Sequence, residues 1–348
     1  MSLKKKNIIF LSIVVTAFAL LYWTGTFAEE NSNKQTGFGR SPALSANGEE
    51  MAFSYYKEGE SGLYTAPASG GEAKQLLPPQ TVGSYARPAY SPDGKKLLYI
   101  KEWEEEEKPY NQLMIYDFET EQSEPLKGTD HYIQEAVFAP DGEHIFFIKA
   151  GSYVENYYGD GESPQDFDIY KMNLESKETK RITKFNLYSL SSLQVTDDEK
   201  YLTYSFYNEK DVIQRLNLKN KNTETISSEP QYESDTGEVS VVGSPAISPD
   251  GNTIAFSEVA DTSDIGTFQY EVFTMNTNGK DVEQITNFHE HVTEPVFFPN
   301  GEELLVTVDQ NFAGRQTDYE YWRISDNGNE QKQIIIKIPD QSQQEEMK

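Results

Sequence analysis

The stretch SPAISPDGNTIAFS, residues 244–257, contains the unit that decides the fold. A short apolar strand leads into the turn sequence Ser-Pro-Asp-Gly at 248–251, and a second strand with alternating apolar and polar residues follows. In such a turn proline presets φ and glycine supplies a positive φ. Alternation over a few residues is typical of a strand that buries one face. The stretch therefore predicts a tight β-hairpin.

This unit occurs six times, and the six copies align without gaps. Successive copies begin 46, 48, 57, 52 and 50 residues apart, in or just above the range of about 40–50 residues for propeller blades. The turn glycine is present in five copies, and Glu199 replaces it in the fourth. The other five copies are SPALSANGEEMAFS from Ser41, RPAYSPDGKKLLYI from Arg87, EAVFAPDGEHIFFI from Glu135, SLQVTDDEKYLTYS from Ser192 and EPVFFPNGEELLVT from Glu294.

Two further strands follow the hairpin in every copy. The third begins near Leu63 in the first copy and near Tyr321 in the last, and the fourth ends near Leu76 and Ile334 in the same copies. No window shows a convincing helical period. The sequence therefore predicts an all-β fold, a six-bladed β-propeller with four antiparallel strands per blade. It spans residues 41–340, with blades starting near 41, 87, 135, 192, 244 and 294.

The repeats also resemble those of a known family. The Ser-Pro-Asp-Gly turns at 91–94 and 248–251, followed by LLYI and IAFS, are similar to the WD40-like (PD40) repeats of TolB-like six-bladed propellers, as is the run over 272–286. The resemblance covers about residues 41–340. It implies the propeller architecture, but not one activity, because such relatives include binding scaffolds, propellers attached to peptidases, and oligogalacturonide lyases.

The N-terminus has the pattern of an export signal. Lys4, Lys5 and Lys6 precede an apolar run from Ile8 to Trp23, as in a secretory signal. We expect residues 1–28 to be a signal peptide cleaved after Ala28, or an N-terminal anchor on the outer side of the cytoplasmic membrane through residues 7–23. Residues 29–40 are then a linker and 341–348 a polar tail. Either alternative makes the protein extracytoplasmic, secreted or anchored, with membrane contact only through this segment.

Charge and cysteine content exclude several classes of function. The formal net charge is −27, and removing residues 1–28 takes away three lysines and no acidic residue, which leaves −30. Such a chain is repelled by phosphate backbones, so no nucleic-acid partner is expected. The absence of cysteine excludes disulfides, thiolate chemistry and a cysteine-linked lipid anchor.

Long insertions indicate where a partner binds. They fall between the second and third strands or between repeats, at 101–112, 150–168, 227–243, 258–271 and 309–320. Long loops on a rigid scaffold usually carry function. We therefore expect a monomeric, non-catalytic propeller that binds a protein or peptide partner at the cell envelope through this insertion-rich face. The candidate binding residues are Trp103, Tyr110, Tyr132, Tyr153, Tyr157, Tyr158, Tyr232, Phe268 and Tyr270.

The histidines suggest an alternative function. His131, His289 and His291 lie in connections between repeats, with Glu294 close by, and imidazole with carboxylate can hold a divalent metal. Oligogalacturonide lyases, which the chain resembles in fold, use a His-x-His pair. The alternative is thus a metal-assisted carbohydrate lyase using His289 and His291. Hydrogen-bonded loop histidines, with no cofactor, are the simpler interpretation.

Other catalytic signatures are missing from the sequence. There is no G-x-S-x-G nucleophile elbow, phosphate loop or dinucleotide fingerprint. The acidic loops at 160–162 and 261–264 lack the spacing of a calcium-binding EF-hand. A third interpretation is a structural envelope protein whose propeller only spaces other components. It would tolerate changes to both the histidines and the insertions.

Overall fold

The fold is all-β. The computed structural model describes residues 14–18, 21–22, 34–80, 83–126, 128, 132–156, 160–208, 210–228, 232–234, 237–239, 242–264, 266–314 and 316–339. Residues 14–18 and 21–22 are helical, and the other regular elements are strands. Among these residues no helix has the length and apolar character needed to cross a membrane.

Each of the six repeats forms a four-stranded antiparallel meander, in which neighbours in sequence are neighbours in the sheet. We call the meanders units 1 to 6. Unit 1 consists of Ala43–Leu44, Glu50–Lys57, Glu60–Pro67 and Lys74–Gln80. Unit 2 consists of Ser84–Tyr90, Lys96–Glu105, Lys108–Asp117 and Gln122–Pro125. Unit 3 consists of Ile133–Phe138, His144–Lys149, Asp168–Asn173 and Thr179–Arg181.

The second half of the chain repeats this arrangement. Unit 4 consists of Ser191–Val195, Tyr201–Asn208, Lys210–Asn217 and Thr223–Ile226. Unit 5 consists of Gly243–Ile247, Thr253–Thr262, Phe268–Asn276 and Glu283–Gln284. Unit 6 consists of His291–Phe297, Glu303–Asp309, Tyr319–Ser325 and Gln331–Gln333. Two additional hairpins are Ser152–Glu155 with Glu162–Gln165, and Tyr232–Ser234 with Gly237–Val239.

The tight turns have the predicted backbone conformation. The five turn glycines have φ between 67° and 74°. Glu199, at the same position in unit 4, has φ 51°, a conformation that costs a residue with a Cβ atom about 1–2 kcal/mol. In unit 2, the Ser91 hydroxyl donates to Asp93 at 2.7 Å and accepts from the Lys96 backbone N–H at 2.9 Å. These side chains close the turn that the sequence predicts.

Hydrophobic packing joins each unit to the next. Six clusters of buried residues lie between units 1 and 2, 2 and 3, 3 and 4, 4 and 5, 5 and 6, and finally 6 and 1. In the last of these, Phe53 of unit 1 packs on Tyr321 of unit 6 with ring centroids 5.9 Å apart. Each unit therefore packs one face of its sheet against the preceding unit and the other face against the following unit, and it needs both neighbours to bury both faces.

The chain ends complete the packing between units 6 and 1. Gly37–Phe38 is a strand that pairs with Tyr55 and Tyr56, and Ile336–Lys337 pairs in parallel with Gly71–Glu72. The Tyr321 hydroxyl donates to the Gly39 carbonyl at 2.6 Å. The strand Gly37–Phe38 lies within the predicted linker 29–40, and its Phe38 ring packs on Phe53 and Tyr321. The predicted polar tail at 341–348 lies outside the described residues.

Candidate binding sites at the two ends of the units

Every unit has two different ends. At the short-turn end lie the turns between strands one and two and between strands three and four. At the insertion end lie the loops between strands two and three and the connections to the next unit. The antiparallel meander fixes this division, because alternate turns in it fall at opposite ends of the sheet. The two ends carry different candidate sites.

A cavity of about 740 Å³ opens toward the short-turn end. Every unit contributes the fourth residue and the sixth residue of its repeat to the lining. The fourth residues are apolar, and four of the sixth residues are prolines. The fourth residues are Leu44, Tyr90, Phe138, Val195, Ile247 and Phe297. The sixth residues are Ala46, Pro92, Pro140, Asp197, Pro249 and Pro299.

The cavity also has polar lining residues at the first position of the repeat: Glu135, Ser192, Ser244 and Glu294. Ser192, Ser244 and Glu294 have φ between 47° and 55°, beside register shifts in their first strands. The Arg40 Nε lies 3.2 Å from a Glu294 carboxylate oxygen. Glu135 accepts a hydrogen bond from the Leu193 backbone N–H at 3.2 Å. Burial raises the pKa of Glu135, and the Arg87 guanidinium opposes that shift.

At the insertion end, the central hairpin of unit 2 (96–117) and the additional hairpin of unit 3 (152–165) form what we call the hairpin arm. The Lys108 ammonium pairs with Glu162 and lies 4.0 Å from the centroid of the Tyr153 ring. The Tyr153 hydroxyl donates to the Pro109 carbonyl at 3.0 Å. These contacts fasten the two hairpins together across the boundary between units 2 and 3.

Aromatic rings run along the hairpin arm. Trp103 and Tyr110 are cross-strand partners, and their rings are stacked with centroids 6.1 Å apart. The Tyr110 and Tyr153 centroids are 6.5 Å apart. Three of the predicted binding residues therefore lie side by side in the structure: two from one hairpin of unit 2 and one from the additional hairpin of unit 3. Aromatic side chains that are already ordered offer contact area at a low entropic cost.

Buried carboxylates hold two connections between units in place. Asp168 is fully buried and pairs with Arg181, and it accepts hydrogen bonds at 2.7 Å from the Thr183 hydroxyl and the Phe185 backbone N–H. Glu271 occupies the same place in unit 5 and accepts from the Thr286 hydroxyl at 2.5 Å and the His289 backbone N–H at 2.7 Å. The ordered connections follow from these bonds, since a buried carboxylate is stable only with such partners.

A second aromatic group lies where units 5 and 6 meet. His291 forms a parallel backbone pair with Tyr270, with the ring centroids 4.6 Å apart, and the Phe312 centroid is 4.1 Å from that of His291. Burial lowers the pKa of His291 to about 4, and Arg40 acts in the same direction while Asp309 opposes it. His291 is therefore neutral at pH 7 and packs as an aromatic ring.

The remaining predicted binding residues do not all lie at the hairpin arm. Tyr132 is half-buried and packs against the cluster between units 3 and 4. Phe268 and Tyr270 lie on unit 5, away from the hairpin arm in the order of units. Tyr157 and Tyr158 lie outside the described residues, and of Tyr232 only the strand is described. Among the described residues, Phe268 and Tyr270 thus lie apart from the hairpin arm, whereas Tyr132 is near enough to Tyr153 to contribute to raising the pKa of that tyrosine.

The predicted metal ligands have other contacts. The His289 ring lies 3.2 Å from the Asn287 amide nitrogen, His291 is packed between rings, and Glu294 pairs with Arg40. No three histidine, aspartate or glutamate side chains in the described part of the chain are placed to hold a metal ion. His131 lies outside the described residues, so the four-residue metal site stays a prediction.

Sequence reasoning missed two features. The cavity lining at the fourth and sixth repeat positions was visible as a repeated pattern, but the pattern does not show that these positions face a common space. Three exposed aromatic residues, Phe185, Tyr188 and Tyr207, lie around unit 4, and the Ser189 hydroxyl accepts from the Tyr207 backbone N–H at 2.9 Å. They follow no motif, so only the structure identifies them.

Comparison with solved structures identifies the fold. The chain has the fold of β-propeller proteins. TolB from Acinetobacter baumannii is similar at a TM-score of 0.60 and 20% identity, over 82% of this chain and 63% of that protein. The chain therefore spans less than two thirds of that TolB. No protein-family model and no curated protein matches the sequence.

Two further solved structures have the same fold. A putative TolB from Agrobacterium tumefaciens is similar at a TM-score of 0.54 and 16% identity, over 75% of this chain and 83% of that one. An oligogalacturonate lyase from Vibrio parahaemolyticus is similar at a TM-score of 0.50 and 13% identity, over 83% of this chain and 90% of that protein. Because these neighbours differ in name and share little sequence, the likeness concerns the fold alone.

Proposed function

We propose that the protein is a non-catalytic, extracytoplasmic propeller that binds a protein or peptide partner at the cell envelope. The observation that carries the proposal is the hairpin arm. Two insertions from different units are fastened by the Lys108–Glu162 pair and the Tyr153–Pro109 hydrogen bond, and they present a row of ordered aromatic rings. Preorganised aromatic surfaces of this kind favour binding, because little entropy is lost on association.

The proposal includes a closed ring of six blades. Its support is the cyclic order of the six hydrophobic clusters, the last of which joins unit 6 to unit 1. A second, independent support is that residues at two positions of every repeat line one common cavity. In this ring, Gly37–Phe38 and Ile336–Lys337 strengthen the contact between the first and last blades. A rigid ring would hold the hairpin arm in a fixed direction.

The proposed location rests on the N-terminal sequence. In the described part of that segment, Val15, Phe18, Leu21 and Tyr22 have exposed fractions between 61% and 76%. Exposed apolar side chains of this size suit a segment that a membrane or an export machinery accepts. We propose that residues 1–28 act as a signal or anchor and that the propeller is a monomer outside the cytoplasm.

A cross-linking pull-down from intact source cells tests the proposal. The bait is the full chain, and its matched variant has the two hairpins of the arm shortened. Asn-Gly replaces 103–110, because Glu102 and Asn111 are cross-strand partners and Asn-Gly is the preferred two-residue hairpin turn. Asn-Gly likewise replaces 152–165, because the Gly151 N–H and the Asp166 carbonyl are 3.1 Å apart.

The expected result is a protein captured by the full chain and lost with the shortened variant. A control variant, Tyr207→Ala, removes an aromatic side chain that is 59% exposed on unit 4 and should capture the same protein. Equal capture by all three baits, or capture of background alone, would contradict the proposal.

A further inference from the structure

A groove of about 770 Å³ runs between units 1 and 2 beside the hairpin arm. Unit 1 contributes residues at the end of its fourth strand, and unit 2 contributes residues of its second, third and fourth strands. The groove is lined by Pro79, Gln80, Lys101, Trp103, Gln112, Met114 and Pro125.

Apolar side chains make up much of the groove, and one of them is held in a fixed orientation. The Trp103 indole N–H donates to Glu105 at 3.1 Å, and the ring stacks on Tyr110. Two prolines and a methionine complete the apolar lining. Grooves lined by aromatic residues bind proline-containing peptides in the polyproline II conformation, which is already extended before binding.

The polar groups of the groove match the backbone of such a peptide. Lys101 and Gln80 bring hydrogen-bond donors to the lining, and an extended peptide presents carbonyl acceptors along its length. The Gln112 amide donates to the Leu126 carbonyl at 3.2 Å, so its position is fixed. A proline residue brings no backbone N–H that would need an acceptor in the groove.

The charge around the groove selects a basic partner. Glu104, Glu105, Glu106 and Glu107 form the exposed tip of the hairpin that carries Trp103. The whole chain has a formal net charge of −27, which attracts cationic segments at long range. The hairpin arm already holds one ammonium of its own, Lys108, between the Glu162 carboxylate and the Tyr153 ring. The hairpin arm thus offers both carboxylates and aromatic rings, and a lysine or arginine side chain can bind to both kinds of group.

We propose that this groove is the docking site for a proline-containing segment of the partner protein that bears lysine or arginine, bound in an extended conformation. The inference rests on the proposed function and deepens it. The peptide backbone lies along Trp103, and its cationic side chains face the Glu104–Glu107 tip. Binding then weakens as salt screens these exposed charges.

Fluorescence anisotropy with the full-length protein tests the inference. The probe is a fluorescein-labelled peptide of four Lys-Pro-Pro repeats, in about 0.1 M salt. Two control peptides separate charge from conformation: four Glu-Pro-Pro repeats keep the prolines and reverse the charge, and four Lys-Gly-Ser repeats keep the charge and remove the prolines. Two groove variants, Trp103→Ala and Trp103→Phe, are compared with Tyr207→Ala, an exposed aromatic residue elsewhere.

The Lys-Pro-Pro peptide should bind, and both control peptides should bind at least about tenfold more weakly. Trp103→Ala should weaken binding of the Lys-Pro-Pro peptide by about tenfold or more, as for an aromatic residue at the centre of an interface. Trp103→Phe, which keeps a ring and guards against a folding defect, should retain most of the affinity, and Tyr207→Ala should retain it all. No binding, equal binding of Lys-Gly-Ser, or no effect of Trp103→Ala would overturn the inference.

The outcome is separable from that of the proposed function. If the shortened hairpin arm abolishes capture of the envelope partner while the basic peptide does not bind, the docking chemistry is wrong and the binding function stands. If the peptide binds through Trp103 but the shortened arm, which lacks Trp103, captures the same protein as the full chain, the groove binds such peptides but is not the docking site of that protein, and both proposals are overturned for that partner.

Discussion

The short-turn end and the insertion end differ in how they use the repeat. At the short-turn end, equivalent positions have the same role in all six units. One position of each turn has a left-handed φ, and the fourth and sixth positions of each repeat line the cavity. At the insertion end, each unit is different, and the hairpin arm involves units 2 and 3 only. The comparison indicates that repetition supplies the scaffold, and under the proposed function the departures from repetition supply recognition. Changes at the scaffold should therefore alter stability, and changes at the insertions should alter binding.

The largest expected effect is on the packing that joins units 6 and 1. Phe53 is fully buried and packs on Phe38, Tyr64 and Tyr321. Phe53→Ala should lower the free energy of unfolding by about 3–5 kcal/mol, because it leaves a cavity in a closed cluster. Urea unfolding measures the change.

A matched substitution at the insertion end provides the control for Phe53. Val154, in the hairpin arm, is 50% exposed, and Val154→Ala should cost less than about 0.5 kcal/mol. Similar losses for Phe53→Ala and Val154→Ala would remove the distinction between the two ends.

A smaller effect should appear as a pH dependence at the boundary of units 5 and 6. The folded-state pKa of His291 is lowered to about 4 from 6.5, so the unfolded chain binds the proton more tightly. His291 therefore contributes stability above pH 6.5, and that stability is lost as the pH falls toward 4. The loss is up to about 3 kcal/mol.

The variant His291→Phe isolates this contribution, because it keeps an aromatic ring beside Tyr270 and Phe312 and cannot be protonated. Urea unfolding of both proteins at pH 7 and pH 4.5 should show a larger loss for the wild type than for the variant. Parallel losses would show that His291 is not the group responsible. All other residues are the same in both proteins, so the difference between the two losses reports on His291.

The smallest expected effect concerns one turn. An added Cβ at Gly94 meets no atom within 4 Å, so Gly94→Ala should cost only the backbone penalty, about 1 kcal/mol. Glu199→Gly should do the reverse in unit 4 and gain at most about 1 kcal/mol, reduced by loss of the ion pair with Lys171. A thermal unfolding series measures both. A stabilised Gly94→Ala would contradict the assignment of a common turn conformation.

The sequence was sufficient for features that repeat and insufficient for features that occur once. The alignment placed Glu199 at a glycine position, and its φ of 51° confirms that the turn is retained. The Lys108–Glu162 pair joins residues 54 apart in insertions that have no counterpart in other units. The strand Gly37–Phe38, within the predicted linker, is too short to show a periodic pattern. Such contacts depend on tertiary packing, which local patterns do not encode.

Site-specific photo-cross-linking in intact source cells compares the two ends most directly. A photoreactive amino acid is placed at Val154 in the hairpin arm and, in a second variant, at Asn220, an exposed residue in the last turn of unit 4 at the short-turn end. The account predicts a specific protein adduct at Val154 and none at Asn220. An adduct at Asn220 alone, or the same adduct at both positions, would contradict the assignment of recognition to the insertion end.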